Sequence, residues 1–152
     1  RMFTWMAGAL DAYGAAGISH RSGNQNKDTP TEENTRLFAV WGVNVEKYFT
    51  LEQRFEDIPL KEDFYIQLGF LTKGIKTISN NLFVFGKAKG ANQAGGCSLY
   101  RTLAAQNQGS RMLKKAFPDF VTLCQKNNDH WNGIGKEDRI ETIVYWKKAY
   151  GK

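Results

Sequence analysis

The run Phe85-Gly86-Lys87-Ala88-Lys89-Gly90-Ala91-Asn92-Gln93-Ala94-Gly95-Gly96 has the composition of a phosphate-cradling loop, with glycines that admit an anion to the backbone and two lysines to neutralise it. It lacks the G-K-[ST] ending of a nucleotide-binding P-loop, so a basic loop lying against a nucleic-acid backbone suits it better than an ATP site. His20 and His130 are the two histidines, and spacing pairs neither with a serine or cysteine, which leaves a hydrolase triad unsupported. His130-Trp131 could stack on an unpaired base. A tryptophan capped into the core is the expected role. Cys97 and Cys124 lie far apart and outside any C-x-x-C pair, against a zinc knuckle or a disulfide framework, and they read as reduced, intracellular thiols.

Charge supplies the broader signal. The chain carries a formal +6, but residues 1–71 hold 7 Lys/Arg against 10 Asp/Glu, whereas residues 72–152 hold 14 against 5. Such asymmetry points to a polyanionic partner, either nucleic acid or an acidic membrane surface, or else to a solvated basic face. The apolar opening Met2–Ile18 is interrupted by Asp11 and is short for a membrane span, and no other stretch is long enough, so a membrane partner is not expected. With 152 residues, 41% of them hydrophobic, the chain is sized for one domain, residues 1–152, with its own core. Its start on Arg1 fits either a removed targeting segment or ends that were not included.

The elements that position these groups follow from pattern. Thr4 serves as an N-cap for a compact apolar helix over Trp5–Ala12, which Gly14 and Gly17 break. Residues 15–21 read as a strand, and Ser22–Asn34 as a polar loop. Leu37–Val45 is strand-like, and Tyr48, Leu51 and Phe55 recur at helical spacing over Glu46–Ile58 until Pro59. Phe64–Leu71 and Asn81–Phe85 carry strand-like aliphatic and aromatic content about the basic turn Lys73–Lys76. Beyond Gly96 the reading is helical, over Ser98–Gln106, Ser110–Phe117, Pro118–Lys126 and Glu137–Tyr150, with Pro118 as a first helical residue. The class is α+β.

The stretch Met6-Ala7-Gly8-Ala9-Leu10-Asp11-Ala12-Tyr13-Gly14 resembles the nine-residue signature of the LAGLIDADG homing endonucleases and maturases, with Ala7, Gly8, Asp11, Ala12 and Gly14 identical. The downstream element order is similar to that family's αββαββα core. The resemblance implies a four-stranded antiparallel saddle sheet, here with extra C-terminal helices. It also implies that Ala7, Gly8 and Ala12 let a second signature helix approach closely. In the family each such helix delivers the signature's eighth residue, a carboxylate, to divalent metals that activate water. Here that residue is Tyr13, whose phenol is neutral near pH 7 and a poor ligand for a hard cation. Asp11 stands at the sixth position, open as a surrogate ligand, as a structural helix-end residue or as a bond to a partner's backbone. A family basic residue near the metal corresponds loosely to Lys136, and a polar position on the second strand corresponds to Trp41.

The resemblance implies that cleavage is lost and the binding surface retained, without a cofactor. Arg21, Lys27, Arg36, Asn44, Lys73, Lys76, Lys87 and Lys89 are the candidates to touch nucleic acid, mostly at phosphates. The expected role is an RNA-binding structural component of an organellar, mitochondrial ribosome or related ribonucleoprotein. Its partners would be rRNA and either neighbouring ribosomal proteins or a second copy against the signature helix. Alternatives are an intron maturase and an active homodimeric DNA endonuclease, which would use Mg²⁺ with Asp11 as a ligand.

Overall fold

The computed structural model describes residues 1–20, 28–85, 102–126 and 139–151, with backbone alone at His20. Its first element is helix α1 (Met2–Ala12), which starts ahead of Thr4, with Arg1 at the N-cap. Tyr13 leaves the helix in an extended conformation while its N–H still bonds the Ala9 carbonyl at 3.0 Å. Strand β1 (Ala15–His20) follows, then β2 (Thr31–Glu33), β3 (Trp41–Val43) and the short helix α2 (Val45–Phe49). A 3-10 turn at Phe55–Asp57 leads to α3 (Glu62–Thr72) and β4 (Thr77–Phe85), then α4 (Leu103–Ala116), β5 (Val121–Gln125), β6 (Ile140–Val144) and α5 (Trp146–Ala149).

The chain is therefore α+β, with two sheets. One has the order β2-β4-β1-β3, the other is the antiparallel pair β5-β6. In the larger sheet β1 pairs antiparallel with β3, and β4 antiparallel with β2, but β1 and β4 run parallel. The sheet is mixed, where antiparallel pairing throughout was expected. Its register slips between Ile18 and Ser19, where the hydroxyl of Ser19 donates to Asn81 and the Asn81 amide donates to the Thr29 carbonyl at 2.9 Å.

Helix α3 is the hub of the fold. Phe64, Leu68 and Leu71 face one cluster with Ile58, Leu113, Phe117 and Val121, while Ile66 and Phe70 face another with Ala15, Leu37 and Leu51. A helix buried on several sides reads as an unbroken apolar run, and that is why Phe64–Leu71 passed for a strand. Gln67, buried on this helix, accepts from the Leu37 N–H at 2.8 Å and donates to the Leu37 carbonyl at 3.0 Å. That pair of bonds commits the Leu37 backbone to α3, and strand β3 begins only at Trp41, although the Ile18 N–H still bonds the Val40 carbonyl at 3.1 Å.

Several further expectations are corrected. The helix over Glu46–Ile58 is only α2 plus the 3-10 turn, with Tyr48 stacked on Phe55 at 5.4 Å. The segments Pro118–Lys126 and Glu137–Tyr150 hold strands β5 and β6, and among their described residues only Trp146–Ala149 is helical. Ile140, Thr142, Ile143 and Val144 are β-branched and favour the pleated form over the helix expected there. Strand β2 arises inside the segment expected to be loop. Between Leu103 and Ala116 the two expected helices are one, continuous through Gly109, where a side chain would run into the Leu60 carbonyl.

Candidate nucleic-acid interface

Helix α1 divides cleanly by exposure. Trp5, Ala9 and Leu10 are partly buried and Met6 is buried, whereas Phe3, Thr4, Ala7, Gly8, Asp11 and Ala12 form one exposed face. A Cβ built on Gly8 would meet nothing within 4 Å. The small residues thus serve no packing inside the described chain, and their face is open to an outside partner. Gly14, the last residue of the signature, is different. A Cβ there would sit 2.5 Å from the Phe70 ring and 2.7 Å from Ile75, so the path of the chain from α1 into β1 requires glycine.

The C-terminal end of α1 gathers charged groups from three other parts of the chain. The Gly14 N–H bonds the Lys76 carbonyl at 2.8 Å, and the Asn44 N–H bonds the Gly14 carbonyl at 2.9 Å, which brings the turn before β4 and the end of β3 to the helix. The Tyr13 hydroxyl donates to Glu33 at 2.6 Å, and Lys76 pairs with the other oxygen of Glu33 at 2.8 Å. Hydrogen bonds from Lys76 and Tyr13 hold the Glu33 carboxyl below its ordinary value, and the same bonds raise the pKa of Lys76 and of the Tyr13 phenol. Lys47 donates to the Asp11 carbonyl at 2.8 Å, a cation at the negative end of the helix. Lys73 donates to the Thr50 carbonyl just past α2.

These groups do not fit a hard divalent cation. The phenol at the eighth signature position is committed to Glu33, and Glu33, the carboxylate beside it, is already neutralised by Lys76. Asp11 is exposed on the opposite, open face of the helix.

Of the candidates from sequence, Asn44 and Lys76 come together around the end of α1, joined by Lys47 and Glu33, while Lys73 lies on the Thr50 carbonyl past α2. Asn44 is not free to read a base. Its oxygen caps α2 by accepting from the Lys47 N–H at 2.8 Å, and its amide donates to the Leu10 carbonyl at 2.8 Å. Arg36 lies elsewhere, over the rings of Phe38 and Phe64, with Cζ 4.5 and 4.4 Å from their centroids. Trp41 packs against the core beside Phe55, its ring 6.1 Å away. Arg21, Lys27, Lys87, Lys89, Lys136 and the pair His130-Trp131 fall outside the described residues. Sequence reasoning missed Lys47 and Glu33. The acidic pair Glu32-Glu33, which forms the end of β2, was the available signal, but nothing local shows that Glu33 meets Tyr13. No described helix is long and apolar enough to cross a membrane. Comparison with protein-family models, with curated proteins and with solved structures finds no match to this chain.

Proposed function

We propose that the chain is a nucleic-acid-binding domain of LAGLIDADG type that does not cleave, with RNA of an organellar ribosome or related ribonucleoprotein as its target. The observation that carries this reading is the end of α1, where the signature's eighth position holds Tyr13 bonded to Glu33, with Lys47 on the Asp11 carbonyl and Lys76 on Glu33. Such lysines suit phosphate contacts, which set register without reading sequence. Charge supports it too, since residues 72–152 hold 14 Lys/Arg against 5 Asp/Glu.

The test has two parts. Co-sedimentation of the endogenous protein through a density gradient should place it with ribosomal particles, surviving a high-salt wash. Anisotropy titration of an RNA duplex should give an affinity that falls linearly on a log–log salt plot, with a slope lowered by about one for each of Lys73→Gln and Lys76→Gln. A free protein at the top of the gradient with salt-independent binding would end this reading.

A second reading, the active homodimeric endonuclease, is favoured by the open small-residue face of α1, which suits a second copy of the helix. Tyr13 and the pairing of Glu33 argue against it. A dimer that cuts a long DNA site in Mg²⁺ would establish it.

A further inference from the structure

Away from α1, the start of α3 and strand β6 enclose a cleft of about 690 Å³. Glu141 on β6 forks across it, one oxygen 2.9 Å from Lys61 and the other 2.9 Å from Arg139. Those two cations are thus engaged. Two more, Arg36 and Lys126, line the same cleft, and among the described residues neither side chain donates a hydrogen bond or closes an ion pair. Arg36 is nevertheless held in place by contact with the rings of Phe38 and Phe64. A guanidinium fixed by aromatic contact, with its fork of donors unoccupied, is pre-organised for bidentate binding of a planar-edged anion.

Two more observations bear on the site. Ala39 and Lys61, both lining the cleft, adopt left-handed backbone conformations with φ of 57° and 71°, which residues with a Cβ rarely adopt. The indoles of Trp41 and Trp146 lie on its wall and are only partly buried, so they offer apolar surface beside the cations. Three carboxylates compete, namely Glu62, Asp63 and Glu141. Glu141 is committed to its two partners. Burial raises the pKa of Asp63, with the attraction of Arg36 opposing it, so this carboxyl gives up its proton less readily than an ordinary aspartate. The size suits a ligand of nucleotide dimensions.

We propose that this cleft binds a nucleoside monophosphate unit, with Arg36 and Lys126 on the phosphate and an indole against the base. The ligand is either a free nucleotide or the phosphorylated end of a nucleic-acid chain. This proposal stands apart from the α1 surface and does not rest on its reading.

The experiment is a titration of the full chain with AMP, GMP, CMP and UMP, followed by tryptophan fluorescence, with ribose 5-phosphate and adenosine as half-ligands. Saturable quenching by the monophosphates, weaker by either half-ligand, is expected. Arg36→Gln should weaken AMP about tenfold or more, and Arg36→Lys nearly as much, because an ammonium lacks the fork. Asp63→Asn should tighten binding by removing the competitor for Arg36. A 5′-phosphorylated oligonucleotide that displaces AMP where its 5′-hydroxyl twin does not would identify a chain end as the source. Displacement by free nucleotides alone would identify the free nucleotide. Absence of saturable quenching up to about 1 mM overturns the proposal, as does an Arg36→Gln protein of unchanged circular dichroism that binds AMP as before. Should Arg36→Gln fail to fold, Lys126→Gln decides: this exposed position must weaken AMP several-fold, or the cleft is not the site.

Discussion

Tyr13 is the residue on which the reading turns, and its environment shows what a phenol does there that a carboxylate would not. A carboxylate at this position would face Glu33 as a like charge, whereas the phenol donates to it at 2.6 Å. Tyr13→Phe should therefore cost about 1 kcal/mol in urea unfolding at neutral pH. The Glu33 carboxyl is depressed by Lys76 first and Tyr13 second, so its contribution is present above the ordinary glutamate value of 4.5 and is lost as pH falls through the lower folded value. The gap between wild type and Tyr13→Phe should accordingly narrow in acid, and a gap independent of pH would mean that the bond is not made. Asp63 behaves in the opposite sense. Burial raises its pKa above the ordinary 3.8, so its ionisation destabilises the fold once pH exceeds that value. Asp63→Asn should melt higher than wild type at pH 7, with the advantage vanishing below about pH 3.8. A lower melting temperature at pH 7 would show that the Arg36 attraction outweighs burial.

At the scale of elements, the two glycines of the signature separate what α1 does inside the chain from what it offers outside. Gly14→Ala pushes a methyl into Phe70 and Ile75 on the path to β1, and should lower stability by about 2 kcal/mol. Gly8→Leu meets only open space, so thermal unfolding of the monomer should be unchanged, and any loss should appear in association with a partner. Destabilisation of the monomer by Gly8→Leu would contradict the exposed placement of this face. Helix α3 gives the second test. Gln67→Leu leaves the buried Leu37 N–H and carbonyl without their partner and should cost about 3 kcal/mol, measured by denaturant unfolding. The same helix shows why elements were only partly legible. Local pattern identified α1, β1 and the latter part of β4, where small or alternating residues met clear breakers. It failed at Phe64–Leu71, because an apolar run buried on several sides carries no period to tell helix from strand.

Across the whole molecule, Glu141 ties the β5–β6 pair to the start of α3 through Lys61, while Arg139 beside β6 holds its other oxygen. Desolvation alone would raise its carboxyl, yet the attraction of Lys61, Arg139 and Lys126 holds it below the ordinary range. Glu141→Gln leaves two little-exposed cations without their counter-charge and should cost about 3 kcal/mol; loss of a single cooperative unfolding transition would show that this pair also couples the two sheets. From sequence alone came the α+β class, the charge asymmetry, and a helix over Trp5–Ala12 with its small residues. These are properties of composition and of near neighbours along the chain. The tertiary structure decided the parallel pairing of β1 with β4, the meeting of Tyr13 with Glu33 and Lys76, the bond from the Asn44 amide to the Leu10 carbonyl, and the placing of Arg36 over the Phe64 ring. Each depends on groups twenty or more residues apart in the chain, or on which face of an element turns inward, and no local pattern encodes such a meeting.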